Sequence, residues 1–170
     1  MDIKTEKIVQ ALQEQFSATF EEYRGEVQVL IQPAQIIPAL AFLRDRQSFE
    51  LLSAQTAVDY WPQVSPRFHV IYQLTSIANL VWLQLRVPVD GEHPVLPTAT
   101  GLYDTANWRE RELMDMFGID FEGHPDPRRI LMPEGTEGHP LRRDFPLGYE
   151  EPQFTFNVEE ISLRKLHAKE

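Results

Sequence analysis

Cysteine is absent from the 170 residues. That single absence excludes disulfides, cysteine-ligated iron–sulfur clusters, zinc ribbons and cysteine nucleophiles, and it fits a reducing compartment. Long apolar runs are missing as well. Nothing approaches the ~20 residues that span a bilayer, and the opening MDIKTEKIVQALQEQF is charged and amphipathic, without the apolar centre of a signal peptide. The expected setting is cytosolic, or peripheral to a membrane from its cytosolic side. Basic charge is scarce: 16 Lys and Arg face 26 Asp and Glu, a net charge of −10 with a pI near 5.0. Nucleic-acid modules announce themselves by a basic patch and a high pI, so no nucleic-acid partner is expected. No G-x-S-x-G elbow, no G-x-G-x-x-G after a strand and no Walker loop occurs. Nucleophilic catalysis and phosphate binding therefore lack their usual machinery.

What is present divides the chain. At ~100–200 residues per domain the length allows one domain, and hydrophobic content of 42% suits a globular core. Of 13 prolines, six (Pro125, Pro127, Pro133, Pro140, Pro146, Pro152) fall between residues 122 and 152, and five of eight glycines lie between 118 and 148. Proline supplies no backbone donor, so this stretch cannot be ordinary helix or central strand. We expect an α/β domain over residues 1–118, followed by an irregular, extended segment over 119–170.

Within the body, α and β patterns alternate. Ile8, Leu12, Phe16 and Phe20 recur every four residues and predict an amphipathic first helix. Val27, Val29 and Ile31 alternate in a half-buried strand over Glu26–Gln32. A second helix is expected from about Ile37 to Arg46, with Leu40, Ala41 and Leu43 on its apolar face, then a weaker strand on Phe49, Leu51 and Ser53. Two clear strands follow, on Phe68, Val70, Tyr72 and Leu74, and on Val81, Leu83, Leu85 and Val87. The short Ser76–Asn79 link predicts an antiparallel hairpin, with the prolines at 88, 94 and 97 stopping its ladder. A third helix should run from a cap at Asp104 or Thr105 to Phe117, with Gly118 as its stop. Asn157 and Glu160 resemble a capping box for a short final helix.

Charge concentrates in NWREREL, Asn107 to Leu113. On a helix, Arg111 can pair with Asp115 and Arg109 with Glu112. One reading is a solvated face with such intrahelical pairs; the other is that these charges bond to an ordered tail or a partner subunit. The chain's one internal echo is E-G-H-P, at 122–125 and 137–140. His124, His139, Glu122 and Glu137 are a conceivable ligand set for zinc or non-haem iron, although a 15-residue spacing through irregular chain fixes no geometry. Alternatively the glycines and prolines shape the backbone and the imidazoles tie down neighbouring carbonyls. The pairs Arg128-Arg129 and Arg142-Arg143 can grip carboxylates or phosphates bidentately, and in so acidic a chain they read as protein–protein or intramolecular anchors.

The run from Glu110 to Leu131, ERELMDMFGIDFEGHPDPRRIL, resembles the signature of the 30-kDa subunit family of respiratory complex I, which includes the bacterial C-type subunit and the cyanobacterial and plastid J-type subunit. Glu110, Arg111, Glu112, Asp115, Met116, Phe117, His124, Arg128, Ile130 and Leu131 fit that pattern. The continuation LMPEGTEGHPLRRDFPLGYEEPQFTF, the upstream RFHVIYQLTS and the TANW before the signature also look typical, so the likeness covers most of the chain from about residue 27. The second E-G-H-P is closer to the bacterial C-type form.

The resemblance implies a two-layer domain, a mixed sheet with packed helices, followed by a long extended Pro/Gly-rich tail that wraps neighbours. It implies a non-catalytic structural subunit in the peripheral arm of a proton-translocating NADH–quinone oxidoreductase, with no active site of its own. No flavin, cluster or metal would sit in this chain; the flavin and iron–sulfur clusters belong to partners, and NADH and quinone are substrates of the complex. Implied partners are subunits of the D (49-kDa), B and I types, at the cytoplasmic face of the bacterial inner membrane. The implied interface residues are Trp108, Arg109, Glu110, Arg111, Glu112, Asp115, Phe117 and Gly118 on the helix. Glu122, Gly123, His124, Pro125, Arg128, Arg129, Glu137, Gly138, His139, Pro140, Arg142, Arg143, Asp144 and Pro146 complete the set beyond it. Related subunits serve energy-converting hydrogenases and dehydrogenases with other electron donors, which is the alternative within the family. A small metal-dependent enzyme using His124 and His139 is the alternative outside it.

Overall fold

Alternation in β4 (Phe68–Ser76) and β5 (Val81–Val89) builds the centre of the molecule. Phe68, Val70, Tyr72, Leu74, Leu83, Leu85 and Val87 are at most 1% exposed on one face, whereas Trp82 on the other is 61% exposed. The two strands form the predicted antiparallel hairpin, in register from Ser76↔Val81 to Phe68↔Val89. The structure, a computed structural model, describes residues 3–146 together with Leu163. Of the helix predicted around Asn157–Leu166, only Leu163, helical and exposed, is among the described residues.

With β1 (Thr19–Tyr23), β2 (Glu26–Leu30) and β3 (Leu51–Asp59), five strands form a mixed sheet in the order β1-β2-β5-β4-β3, with β2 parallel to β5 and the other pairs antiparallel. Helices α1 (Ile3–Phe16), α2 (Ile36–Gln47) and α3 (Ala106–Phe117) contribute Ile8, Val9, Leu12, Ile36, Leu40, Leu43 and Leu113 to the same core as the buried sheet face. The result is an α+β domain with a mixed sheet.

Three local patterns differ from the sequence expectation, each for a physical reason. Phe20 does not continue the first helix. Ser17 turns left-handed at φ 51°, and Thr19–Tyr23 forms strand β1, closed onto β2 by Arg24 and Gly25 at φ 54° and 85°. Two consecutive positive φ values make the turn that matches strand twist. Strand β3 (Leu51–Asp59) shifts register between Leu52 and Ala54. That bulge sends Leu52, Gln55, Ala57 and Asp59 inward and leaves Leu51 outside, which explains the weak alternation. Pro88 does not end β5, because pairing with β2 covers only Gln84–Arg86, so its missing N–H falls where β2 offers no partner.

A small second sheet was not legible in the sequence. Strand β6 (Val95–Pro97) pairs in parallel with β7 (Asp120–Glu122), with α3 as the crossover between them. Ile119 and Phe121, within the stretch expected to be irregular, join the core at 0% and 8% exposure. This β6–α3–β7 unit fixes the helix that carries the charged signature.

Candidate functional site

The charges of α3 divide by depth. Glu110 is fully buried, and its carboxylate accepts hydrogen bonds from Thr98 Oγ1 at 2.5 Å and the Ala99 backbone N–H at 2.7 Å. His124 approaches from beyond β7. Its Nδ1 accepts from the Asp126 N–H at 3.0 Å, which assigns the proton to Nε2, and Nε2 donates to the Asn107 carbonyl at 3.1 Å. The same Nε2 lies 3.9 Å from Glu110. Burial pushes the Glu110 carboxyl above its usual range, against the opposing hydrogen bonds from Thr98 and Ala99. A raised carboxyl favours folding most below its unfolded value of ~4.3, and this contribution is lost as pH rises through the folded value. We expect Glu110→Gln to remove that dependence. The stability of wild type relative to the variant should fall as pH rises above about 4.3, measured by urea unfolding in a pH series. A relative gain with rising pH contradicts the assignment.

Asp115, at 1% exposure, holds the segment after β7 by its peptide groups. Its Oδ2 accepts the consecutive N–H groups of Ile130, Leu131 and Met132 at 3.1, 2.7 and 2.9 Å, and its Oδ1 accepts from Arg129 Nη1 at 2.9 Å. Burial pushes this carboxyl up, but the three N–H bonds and Arg129 outweigh it and hold the group below the usual range. Arg111 donates to the Arg128 and Arg129 carbonyls at 2.9 and 3.1 Å and lies 3.6 Å from Asp126. The Arg111–Asp115 pair expected from helical spacing is therefore replaced. A segment with no ladder of its own must satisfy its peptide groups elsewhere; Arg111 serves two of its carbonyls and Asp115 three of its N–H groups. Only Arg109 and Glu112, 3.7 Å apart and both near half exposed, keep the predicted intrahelical pairing.

Residues 139–142 close the far end of α3. The carbonyls of Asp115, Met116, Phe117 and Gly118 accept from His139 Nδ1 at 3.0 Å, Leu141 N–H at 3.1 Å, and Arg142 Nε and Nη2 at 2.5 and 3.3 Å. These are the carbonyls a helix leaves unpaired, at its negative end, where a cationic donor is favoured. Gly118 makes the approach possible. It sits at φ 67°, and a Cβ there would run into the His139 imidazole and the Arg142 guanidinium. Gly118→Ala should cost at least about 1–2 kcal/mol in urea unfolding from the left-handed backbone alone; a neutral result contradicts the packing described.

A third anchor joins the segment to the sheet. Arg67, 6% exposed, makes bidentate pairs with Asp59 (3.0 and 2.8 Å) and with Asp144 (3.0 and 2.6 Å). The Arg143 N–H donates to Asp59 at 2.9 Å. The Arg67 and Arg142 guanidiniums lie 4.9 and 5.4 Å from the Phe68 ring centre, and Phe117 meets the same ring edge-on. Hydrogen bonding to both carboxylates raises the Arg67 pKa further above its usual value. Asp59, despite its burial, and Asp144 are both held low by Arg67. Sequence reasoning included Asp144 but missed Asp59 and Arg67. The available signal was a charged residue at the inward start of β4.

The structure thus brings Glu110, Arg111, Asp115, Gly118, His124, Arg129, His139, Arg142 and Asp144 into one set of contacts around α3. It leaves others at the surface: Trp108 is 56% exposed, and the Arg128 side chain, bonded to Asp126 at 2.6 and 2.8 Å, is 79% exposed. Pro125, Glu137, Arg143 and Pro146 are exposed, and Pro140 is half-buried. The Glu122 and Gly138 carbonyls accept from Thr98 N–H and from Arg129, and Gly123 turns at φ 81°. The two histidines do not meet. His124 sits on the Asn107 carbonyl and His139 on that of Asp115, eight residues or about 12 Å apart along the helix. That separation is incompatible with a metal centre built on both. Among the described residues no three His, Asp or Glu side chains converge as metal ligands.

Comparison with known proteins agrees with this construction. The family described as respiratory-chain NADH dehydrogenase, 30 Kd subunit, matches residues 29–151. The C-type subunit of the NADH-quinone oxidoreductase of Roseiflexus sp. (strain RS-1) is 48% identical over 151 residues, covering 88% of this chain and 86% of that protein. Its counterpart from Herpetosiphon aurantiacus is 44% identical over 167 residues, covering 94% and 96%. A solved trypsin-resistant fragment (1–134) of Nqo5 superposes with a TM-score of 0.66 at 32% identity, covering 73% of this chain and 99% of the fragment. A chain of the membrane-bound sulfane sulfur reductase, an archaeal respiratory membrane complex, shares the fold with a TM-score of 0.74 at 21% identity, over 90% of this chain and 99% of that one. The matched span contains the whole of α3 and every anchor around it, and the chain belongs to the family of the 30 Kd subunit of respiratory-chain NADH dehydrogenase.

Proposed function

We propose that this chain is a non-catalytic structural subunit of the peripheral arm of proton-translocating NADH–quinone oxidoreductase. The observation that carries this reading is how the signature charges are used. Glu110, Arg111, Asp115 and Arg142 are committed to peptide groups of the chain itself, the last three around its own irregular segment. Groups so committed shape a surface rather than attack a substrate. The surface they hold in place, with Trp108, Arg109, Arg128, Leu131 and Arg143 outward, is available to partners. Those partners are subunits of the D, B and I types. The flavin and iron–sulfur clusters lie in partner chains and this chain binds none. Among the described residues no helix is long and apolar enough to cross a membrane; in this reading the chain is attached through its partners, at the cytoplasmic face of the bacterial inner membrane. The shared fold with a chain of the archaeal sulfane sulfur reductase complex favours one second reading, the equivalent subunit of a respiratory membrane complex that does not oxidise NADH.

Affinity purification of the tagged full chain from detergent-solubilised membranes tests the proposal. The expected result is co-purification with D-, B- and I-type subunits and NADH–quinone activity. Recovery with partners but without NADH oxidation favours the second reading, and recovery of the chain alone contradicts both.

A further inference from the structure

The end of the β4–β5 hairpin takes no part in the anchors around α3. Its four-residue loop and the start of β5 expose three large apolar side chains within six residues: Ile77 (61%), Leu80 (84%) and Trp82 (61%). The loop beneath them is rigidly braced. Glu50 accepts from the Ile77 and Ala78 N–H groups at 3.0 and 3.2 Å. Ser76 Oγ accepts from the Asn79 backbone and side-chain N–H groups at 3.2 and 3.1 Å, and the Asn79 amide also donates to the Gln47 carbonyl at 3.4 Å. With these loop polar groups satisfied from within, the outward surface is apolar and pre-ordered, which lowers the entropy lost on binding.

Leu80 is the most unusual of the three. It occupies the left-handed region at φ 55°, where glycine or asparagine costs least and a branched side chain is penalised. A leucine at a position that is both backbone-strained and 84% exposed contributes nothing to this fold that asparagine would not.

Charge selects the occupant. The stretch Ser76–Trp82 carries none, on a chain of net charge −10, and the one carboxylate against the loop, Glu50, is engaged by the Ile77 and Ala78 N–H groups. An anionic bilayer surface recruits apolar anchors together with lysine and arginine, and this tip has neither cation. We propose that Ile77, Leu80 and Trp82 form a rigid apolar knob that seats in an uncharged, apolar pocket of a neighbouring protein subunit. This rests on the reading of the chain as a subunit of a respiratory complex and names one of its docking points.

Leu80→Asn tests it, because backbone strain and docking respond oppositely. The isolated variant should melt at the same temperature as wild type or higher, while partner subunits recovered with the tagged full chain from solubilised membranes should fall about tenfold, the effect of losing a buried anchor. Wild-type recovery of partners with equal recovery by the variant overturns the docking but not the functional reading. Wild-type chain that recovers no partner overturns the functional reading and the docking with it. A photocrosslinking amino acid at position 80 in the assembled complex identifies the occupant. An adduct with another subunit supports the proposal; an adduct with lipid or with a second copy of this chain, or no adduct, overturns it.

Discussion

Asp115→Ala is expected to destabilise the protein by about 3–5 kcal/mol, the range for removing one partner of a buried charge pair. The substitution strands the Arg129 guanidinium and three consecutive N–H groups that currently share one carboxylate. Part-buried donors left unpaired recover their hydration only in part, and Arg129 keeps just the Gly138 carbonyl. The loss should be local in its first effect: residues 128–142 would exchange amide hydrogens and be cut by protease well before the sheet does. Asp115→Asn keeps the shape and one carbonyl acceptor and should fall between alanine and wild type. The pH dependence follows from the same geometry. The Asp115 carboxyl is depressed in the folded state, so its stabilisation is complete above the unfolded aspartate value of ~3.9 and is withdrawn as pH falls through the folded value. Wild type should therefore lose stability on acidification more steeply than Asp115→Ala. Equal unfolding midpoints for the two proteins at neutral pH contradict the role assigned to Asp115.

Arg67→Met should have a comparable effect, about 3–5 kcal/mol at neutral pH, for the complementary reason. Arg67 is the cation between two carboxylates, and methionine fills its stem without neutralising either. Most of the loss falls on Asp59, whose side chain is 2% exposed; that of Asp144 is 36% exposed and is screened by solvent. In wild type both carboxyls are depressed, so their contribution is present above about pH 3.9 and lost in acid. In the variant the two carboxylates face each other without the cation between them, and protonation relieves them. The stability gap between the proteins should therefore narrow as pH falls from 7 toward 4, a change readable by urea titration at each pH. A gap that widens in acid contradicts this reading of the triad.

The hairpin and the third helix were legible because their patterns are local. Phe68 to Leu74 and Val81 to Val87 alternate without interruption, and Gly118 ends α3 in the left-handed conformation expected of a helix stop. The bulge in β3 and the β1 turn at Arg24-Gly25 were not legible. Each depends on the backbone conformation of one or two residues, which the hydrophobic pattern does not record. The resemblance drawn from Glu110 to Leu131 identified the family and pointed to α3. It could not show what the charges do, since Arg111 and Asp115 at helical spacing predict each other as partners. Their actual partners are peptide groups 15 to 18 residues away, in a stretch whose lack of regular structure made it unreadable alone. The same holds for the repeated E-G-H-P. Its histidines proved to be carbonyl clamps on separate turns of α3, one of the two readings the sequence left open. Arg67 and Asp59 were missed because charged residues at strand ends are ordinarily solvated.

The central claim is that the signature residues hold structure and do no chemistry. It is tested most directly by expressing Asp115→Asn in cells lacking their own copy of this subunit and measuring NADH–quinone turnover per assembled complex. The account predicts less assembled complex but unchanged turnover in what does assemble. A complex recovered in full yield with reduced turnover would contradict it.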